Sequence, residues 1–188
     1  VSEGKKRGRI VVISGPSGSG KTTICDRLKS DPRIRVAVSA TTRPPRGAEK
    51  DGAEYHFFPA PEFERLIAGG KLIEHAKVLG HYYGSLREPM ERAVEAGLCY
   101  ILNIDVQGGM TIKKLLPDST AIFVVAPGEE ELRGRLENRG TDSPREIRRR
   151  LELARKEMEY KKYYDHVVVN DTVDNAVAEI KKNIFGDK

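Results

Sequence analysis

Apolar residues in this chain fall into short, separated clusters, and their spacing switches between two patterns. Ile10–Ser14 (IVVIS) is a brief β-branched run of the kind buried on both faces of a parallel sheet. A glycine-rich turn follows, then a helix predicted over Lys21–Leu28 and closed off by Pro32. Val36–Ala40 reads as a second strand. Glu54–Phe58 alternates weakly and reads as a third. Pro61–Ala68 has helical spacing through Phe63, Leu66 and Ile67, and Gly69-Gly70 stops it. Leu72–Val78 is strand-like, Gly80–Gly84 reads as a turn, and Leu86–Ala96 as an amphipathic helix ended by Gly97. Beyond it, strands are expected at Tyr100–Ile104, Thr120–Val125 and His166–Asn170. Helices are expected from Gly108 to Leu116, over Glu129–Glu137, over the charged stretch Arg145–Tyr160, and over Val173–Ile184.

Strand and helix alternate at both ends of the chain, which implies an α/β fold with a parallel sheet covered by helices. The stretch 36–90 breaks the alternation with extra short strands and reads as a small inserted α+β subdomain. The expected division is a core of about 9–35, 91–130 and 160–188, an insert of about 36–90 and a helical lid of about 131–159, all within one 188-residue domain. No internal repeat or low-complexity tract interrupts it.

No apolar run approaches the roughly 18 residues of a membrane span, and the polar, basic start VSEGKKRGR does not support a secretory signal. The missing initiator Met points to processing or trimming. Cys25 and Cys99 sit in apolar-periodic segments and read as reduced, buried thiols, and His56, His75, His81 and His166 form no metal pattern. A reducing cytoplasm is the expected compartment. Net charge is +5, which admits nucleic acid, anionic membrane or phosphorylated ligands. The placement of the cations decides among these.

Gly15-Pro16-Ser17-Gly18-Ser19-Gly20-Lys21-Thr22 satisfies G-x-x-x-x-G-K-[ST] between a buried-type strand and a helix. In such a loop, backbone N–H groups turn inward on phosphate oxygens, and the helix N-terminus adds partial positive charge. Lys21 supplies a mobile ammonium to the outer phosphates. Thr22 offers a hydroxyl to Mg²⁺, and Thr23 follows it at the start of the helix. The motif alone identifies a nucleoside triphosphate site and leaves the acceptor open. Arg43 and Arg46, three residues apart in a polar loop that also precedes Tyr55, suit a second phosphate: guanidinium forks bind phosphate oxygens bidentately and a phenol donates a further bond.

These stretches resemble the guanylate kinase family. Ser39–Phe57 (SATTRPPRGAEKDGAEYHF) is similar to its signature. Leu72–Ser85 (LIEHAKVLGHYYGS) is similar to its next block and Ile104–Gly108 (IDVQG) to a third. Arg139-Gly140-Thr141-Asp142-Ser143, with Arg150 beyond, resembles its lid, and Asn170-Asp171 a block that touches adenine. The resemblance runs from about Ile10 to Ile184. It implies a P-loop kinase fold and the reversible reaction ATP + GMP ⇌ ADP + GDP, with dGMP as a further acceptor and Mg²⁺ as cofactor.

It also assigns roles. Gly15 to Thr23, Arg139 and Asn170 hold ATP. Ser39, Arg43, Arg46, Tyr55, Glu74, Tyr83, Ser85 and Asp105 hold GMP. Lys21, Arg43, Arg46, Arg139 and Arg150 stabilise the transferring phosphoryl group, with Arg135 a weaker candidate. Guanine offers N–H donors at N1 and N2 and an acceptor at O6. Glu74 and Asp105 are therefore expected against the donors and the hydroxyls of Ser39 and Ser85 against O6. Adenine would set a lone pair against a carboxylate there, so AMP is expected to be a poor acceptor. Of the adjacent tyrosines, Tyr83 is assigned to the acceptor phosphate and Tyr82 to packing. Arg145, Arg148 and Arg149 read as a solvated helix face.

The chain departs from the family pattern at Ala48, His81, Ser85 and Asn103, the last placing an amide where a carboxylate is frequent near the metal. A different monophosphate kinase is disfavoured by the Glu74 and Asp105 pair, and a non-catalytic protein-binding module by retention of Lys21, Arg139 and Arg150. Nucleic-acid binding lacks interleaved aromatics. No nucleic-acid or membrane partner is expected, and the pattern specifies no oligomeric state.

Overall fold

A computed structural model describes residues 7–78, 80–138 and 143–186. In chain order the elements are β1 (Arg9–Ser14), α1 (Lys21–Leu28), β2 (Ile34–Val36), β3 (Ser39–Thr41), β4 (Tyr55–Phe57), α2 (Ala60–Ala68), β5 (Leu72–Val78), β6 (His81–Leu86), α3 (Arg87–Glu95), β7 (Cys99–Asn103), α4 (Val106–Leu115), β8 (Thr120–Val125), α5 (Glu129–Glu137), α6 (Pro144–Met158), a 3₁₀ turn (Glu159–Tyr163), β9 (His166–Val169) and α7 (Val173–Phe185).

Five strands form a parallel sheet in the order β2-β7-β1-β8-β9. The period-2 alternation of β1 explains why its apolar run is continuous. Val11 and Ile13 enter a core with Ile24, Leu28, Ile122 and Ile180 under α1 and α7. Val12 enters an opposite core with Leu102, Phe123, Met90 and Ile112 under α3 and α4. Each such fully buried side chain stabilises by about 1.5–3 kcal/mol relative to exposure. Because the strands are parallel, their carboxyl ends share one edge, which is where ligands bind open α/β sheets. Ser14, Asn103 and Val169 end there, leading into Gly15, Asp105 and Asn170.

A second sheet, ordered β4-β3-β6-β5, is mixed: β3 pairs β4 in parallel and β6 antiparallel, and β6 pairs β5 antiparallel. Phe63 of α2, Ala40 and Leu72 form its core. Ile73 of β5 instead joins Val106 and Ile112 in a main-sheet core, which seats the small sheet against α4.

Two expectations are corrected. The predicted strand Val36–Ala40 is two strands in different sheets, interrupted at Ala37 and Val38. The chain leaves the main sheet there, and apolar residues on both sides conceal the break. The predicted turn Gly80–Gly84 is mostly β6. Gly80, at φ +88°, makes the tight connection, with Val78 paired to His81 across it. Gly84 is a strand residue whose missing Cβ leaves room for the Glu74 carbonyl oxygen, 2.9 Å from where that atom would lie. The long charged helix ends at Met158, and the 3₁₀ turn carries the chain to Tyr163.

Among the described residues, no helix is long and apolar enough to cross a membrane.

Candidate active site

A cleft of about 290 Å³ opens where the two sheets meet, bounded by Gly15, Ser17, Lys21 and Thr22 at one end and Glu74, Tyr55 and Tyr83 at the other. Ser39, Asn103 and Asp105 complete its wall.

The first end is made of backbone. The turn after β1 brings the amides of the loop to the N-terminus of α1, whose N-cap is Gly20 in the left-handed region at φ 92°. A side chain there would be strained and would also overlap the Asn170 amide nitrogen. The buried Asn170 side-chain amide donates to the Ser19 carbonyl at 2.8 Å, while the Asn170 backbone carbonyl accepts from Arg135 at 2.9 Å. Asn170 and Arg135 thus brace the loop from β9 and α5. Lys21 Nζ donates to the carbonyls of Gly15 (2.6 Å) and Pro16 (2.9 Å), folding over the loop it serves. Thr22 and Thr23 are exposed at the start of α1, and Thr22 borders the cleft.

The second end is made of side chains from separate elements. Glu74 of β5 is buried and accepts from Ser85 Oγ of β6 at 2.7 Å. Burial pushes its carboxyl above the ordinary value and Asp105 adds to this, while the Ser85 hydrogen bond opposes both. Ser85, expected to face guanine O6, gives its hydroxyl hydrogen to the desolvated Glu74 carboxylate in this structure. Asp105 is exposed on the cleft wall and caps α4, accepting from Gly108 N at 2.7 Å. Its second carboxylate oxygen remains for the cleft. A Cβ on Gly108 would lie 3.2 Å from Glu74 Oε2, so the two acids lie against the same turn of α4.

Arg43 is 5% exposed, and its fork is already engaged bidentately by Glu49, at 2.9 and 3.0 Å. Glu49 holds the guanidinium above its ordinary value, burial opposes this, and the Tyr83 hydroxyl sits beside the same group. Arg43 also lies over the Tyr55 ring, 5.3 Å from its centroid. Glu49 further accepts from Arg46 N at 2.8 Å, which folds the loop so that Arg46 is exposed next to it. Arg43, expected from spacing to suit a phosphate, is held as a preassembled Arg43–Glu49 unit. Tyr83 borders the cleft, whereas Tyr82 stacks on Phe63, 5.4 Å between centroids.

A family model described as "Guanylate kinase" matches residues 7–186. The chain belongs to the guanylate kinase family. It is 43% identical over 185 residues to the guanylate kinase of Caldanaerobacter subterraneus subsp. tengcongensis, covering 98% of this chain and 90% of that protein. It is 42% identical over 185 residues to that of Desulfitobacterium hafniense, covering 98% and 92%. Among solved structures it resembles guanylate kinase from Anaplasma phagocytophilum, with a TM-score of 0.78 and 34% identity over 95% of this chain and 85% of that one. The P-loop kinase fold follows.

Within this guanylate kinase fold, α6 contributes two groups to the phosphate-loop end of the cleft. Arg150 is half-buried and reaches Ser17 Oγ at 3.4 Å, whereas Arg145, Arg148 and Arg149 are exposed, as a solvated face requires. Arg139, the other lid arginine expected at the site, lies outside the described residues. Glu157 also borders the cleft and was not anticipated. It is one acid among many on a charged helix, and its only advance signal is position: seven residues from Arg150 places it on the same helix face. Asn103, where a carboxylate was the family expectation, borders the cleft too.

Proposed function

We propose that this protein catalyses ATP-dependent phosphorylation of GMP, and of dGMP, to the diphosphate, reversibly. The observation that supports it most is a buried Glu74 carboxylate, held by Ser85, facing the same cleft as the phosphate loop. Glu74 accepts from guanine N1–H and N2–H, and the outward oxygen of Asp105 takes the remaining amino hydrogen. Ser39, half-buried on the cleft wall, takes O6 in place of Ser85. Tyr55, Tyr83, Arg43 and Arg46 hold the acceptor phosphate, with Glu49 presenting Arg43 edge-on.

The attacking oxygen needs no general base, because a phosphate monoester has a second pKa near about 6 and is mostly dianionic at neutral pH. Catalysis is alignment plus neutralisation of crowded charge. Lys21 leaves the Gly15 and Pro16 carbonyls for the outer phosphates, and Arg150 approaches from α6. We assign residues 36–90 as the GMP-binding insert and 131–159 as a lid that excludes water on closing.

The donor end also fits Mg²⁺. Thr22 supplies a hydroxyl oxygen and the phosphates supply the rest, the all-oxygen set this cation prefers. Among the described residues no cluster of three or more His, Cys, Asp or Glu could hold a metal. When bound it supplies charge neutralisation at the transferring phosphoryl group. Burial pushes both thiols, Cys25 and Cys99, up to about 12, so neither is reactive, and we place the protein in the cytoplasm.

A coupled assay of ADP formation over GMP, AMP, CMP and UMP tests the assignment. GMP should be turned over fast and the others poorly; comparable rates with AMP would remove the guanine reading.

A further inference from the structure

The donor end receives a polyanion, yet one of its walls is an acid that no motif explains. Glu157 sits in the last turn of α6, half-buried, on the same cleft as Gly15, Ser17, Lys21 and Thr22. Its Oε2 is fully buried and has no hydrogen-bond partner among the described residues. Burial holds the carboxyl above its ordinary value. Lys21 from α1 opposes this, Asp105 reinforces it, and the Ser17 backbone N–H draws it down weakly. Two turns earlier on α6, Arg150 reaches the hydroxyl of the same Ser17. One helix face therefore presents a cation and an anion to one residue of the phosphate loop.

A carboxylate fixed beside a phosphate cradle opposes binding in proportion to the charge of what enters. A bare triphosphate carries two more negative charges than its Mg²⁺ complex. In a partly desolvated cleft the repulsion falls mainly on the bare form. The carboxylate also competes with the phosphates for Lys21.

We propose that Glu157 is a positioning residue that makes the donor site discriminate the Mg²⁺-bound triphosphate from the free polyanion. The proposal rests on the reading of Mg²⁺–ATP as donor. It gives the site a reason to hold a half-buried acid with one unsatisfied oxygen beside the loop: metal-free ATP would otherwise occupy the loop as a dead-end ligand.

The test is calorimetric titration of ATP, without acceptor, in EDTA and in excess Mg²⁺, for wild type, Glu157→Gln and Glu157→Asp. Thermal melts check folding, and GMP titration serves as an internal control. Wild type should bind the Mg²⁺ form more tightly. Glu157→Gln should tighten metal-free ATP by roughly tenfold while moving the Mg²⁺ form by less than about threefold, narrowing the gap. Glu157→Asp, which keeps the charge, should preserve the gap, and GMP affinity should hold in both variants. Equal shifts for the two forms of ATP, or a parallel loss of GMP affinity, would mean a merely structural role and overturn the proposal. If wild type discriminates and Glu157→Gln keeps the whole gap, Glu157 alone is refuted. If wild type binds both forms equally, the proposal is refuted, while the metal-bound donor reading is tested separately by the Mg²⁺ dependence of turnover.

Discussion

The two ends of the cleft are built on opposite principles. The end proposed for the donor is backbone: glycines, an α-helix N-terminus and carbonyls bridged by Lys21, all within Gly15–Thr22 and braced by Asn170. The end proposed for the acceptor is side chain: Glu74, Ser85, Asp105, Arg43, Glu49, Tyr55 and Tyr83, drawn from β5, β6, β4, the start of α4 and a loop. Phosphate is chemically invariant, and a rigid nest of amides suffices for it. A base must be told from its analogues, which requires particular acids and hydroxyls fixed in a desolvated place. The donor end should therefore fail through loss of chemistry and the acceptor end through loss of selectivity.

The largest effect should come from Lys21→Ala. Turnover should fall by 10³-fold or more, as for other charge-stabilising groups in phosphoryl transfer. The melting temperature should stay close to wild type, because the ammonium's bonds to Gly15 and Pro16 are half-exposed. Retained turnover would break the donor half of the comparison.

Next is the acceptor loop. Glu49→Ala should leave Arg43 without its bidentate partner and raise KM for GMP by about tenfold, with KM for ATP little changed. Equal changes in both constants would blur the distinction between the ends.

The two buried-side acids should also differ in how they respond to pH. Arg43 holds the Glu49 carboxyl below its ordinary 4.5. Its stabilising contribution is thus present above that value and lost as pH falls through the folded value. Burial holds the Glu74 carboxyl above 4.5. It costs no stability at pH values below the ordinary range and costs most once pH exceeds the raised folded value. Glu74→Gln should therefore be more stable than wild type at neutral pH, by on the order of 1 kcal/mol or about 2–4 °C in Tm, with the advantage vanishing toward pH 4. Glu49→Gln should be less stable at neutral pH and converge with wild type in acid. Melts from pH 4 to 7.5 separate the two.

The smallest effect belongs to Arg148→Gln and Arg149→Gln. Both residues are exposed on α6, and kcat/KM should stay within about twofold of wild type, in contrast to Arg150→Gln.

The same contrast explains what was legible in the residues. The donor end is contiguous, and the helix read from Lys21 to Leu28 is α1 as it stands. The parallel main sheet was also legible, because a strand buried on both faces leaves an uninterrupted β-branched run. The acceptor end depends on pairing across the small sheet. Reading Gly80–Gly84 as a turn hid β6, and with β6 hidden the position of Ser85 opposite Glu74 was not deducible. Ser85 was accordingly given to guanine with no sign of its hydrogen bond to Glu74. Arg43 drew attention as a phosphate ligand, but its bond to Glu49, six residues on, required a fold in the loop that polarity alone does not specify. Glu157 was invisible for a different reason. Composition cannot separate one functional acid from the solvated ones on the same helix, and only proximity to Ser17 and Lys21 does so.

The central claim is that a buried acid reads guanine, and the direct measurement is the ratio of kcat/KM for GMP to that for AMP in wild type and Glu74→Gln. Wild type should prefer GMP by about 10⁴-fold or more, with the preference collapsing by at least about 10²-fold in the variant, chiefly through loss of GMP. An unchanged ratio in a folded Glu74→Gln protein would contradict the account.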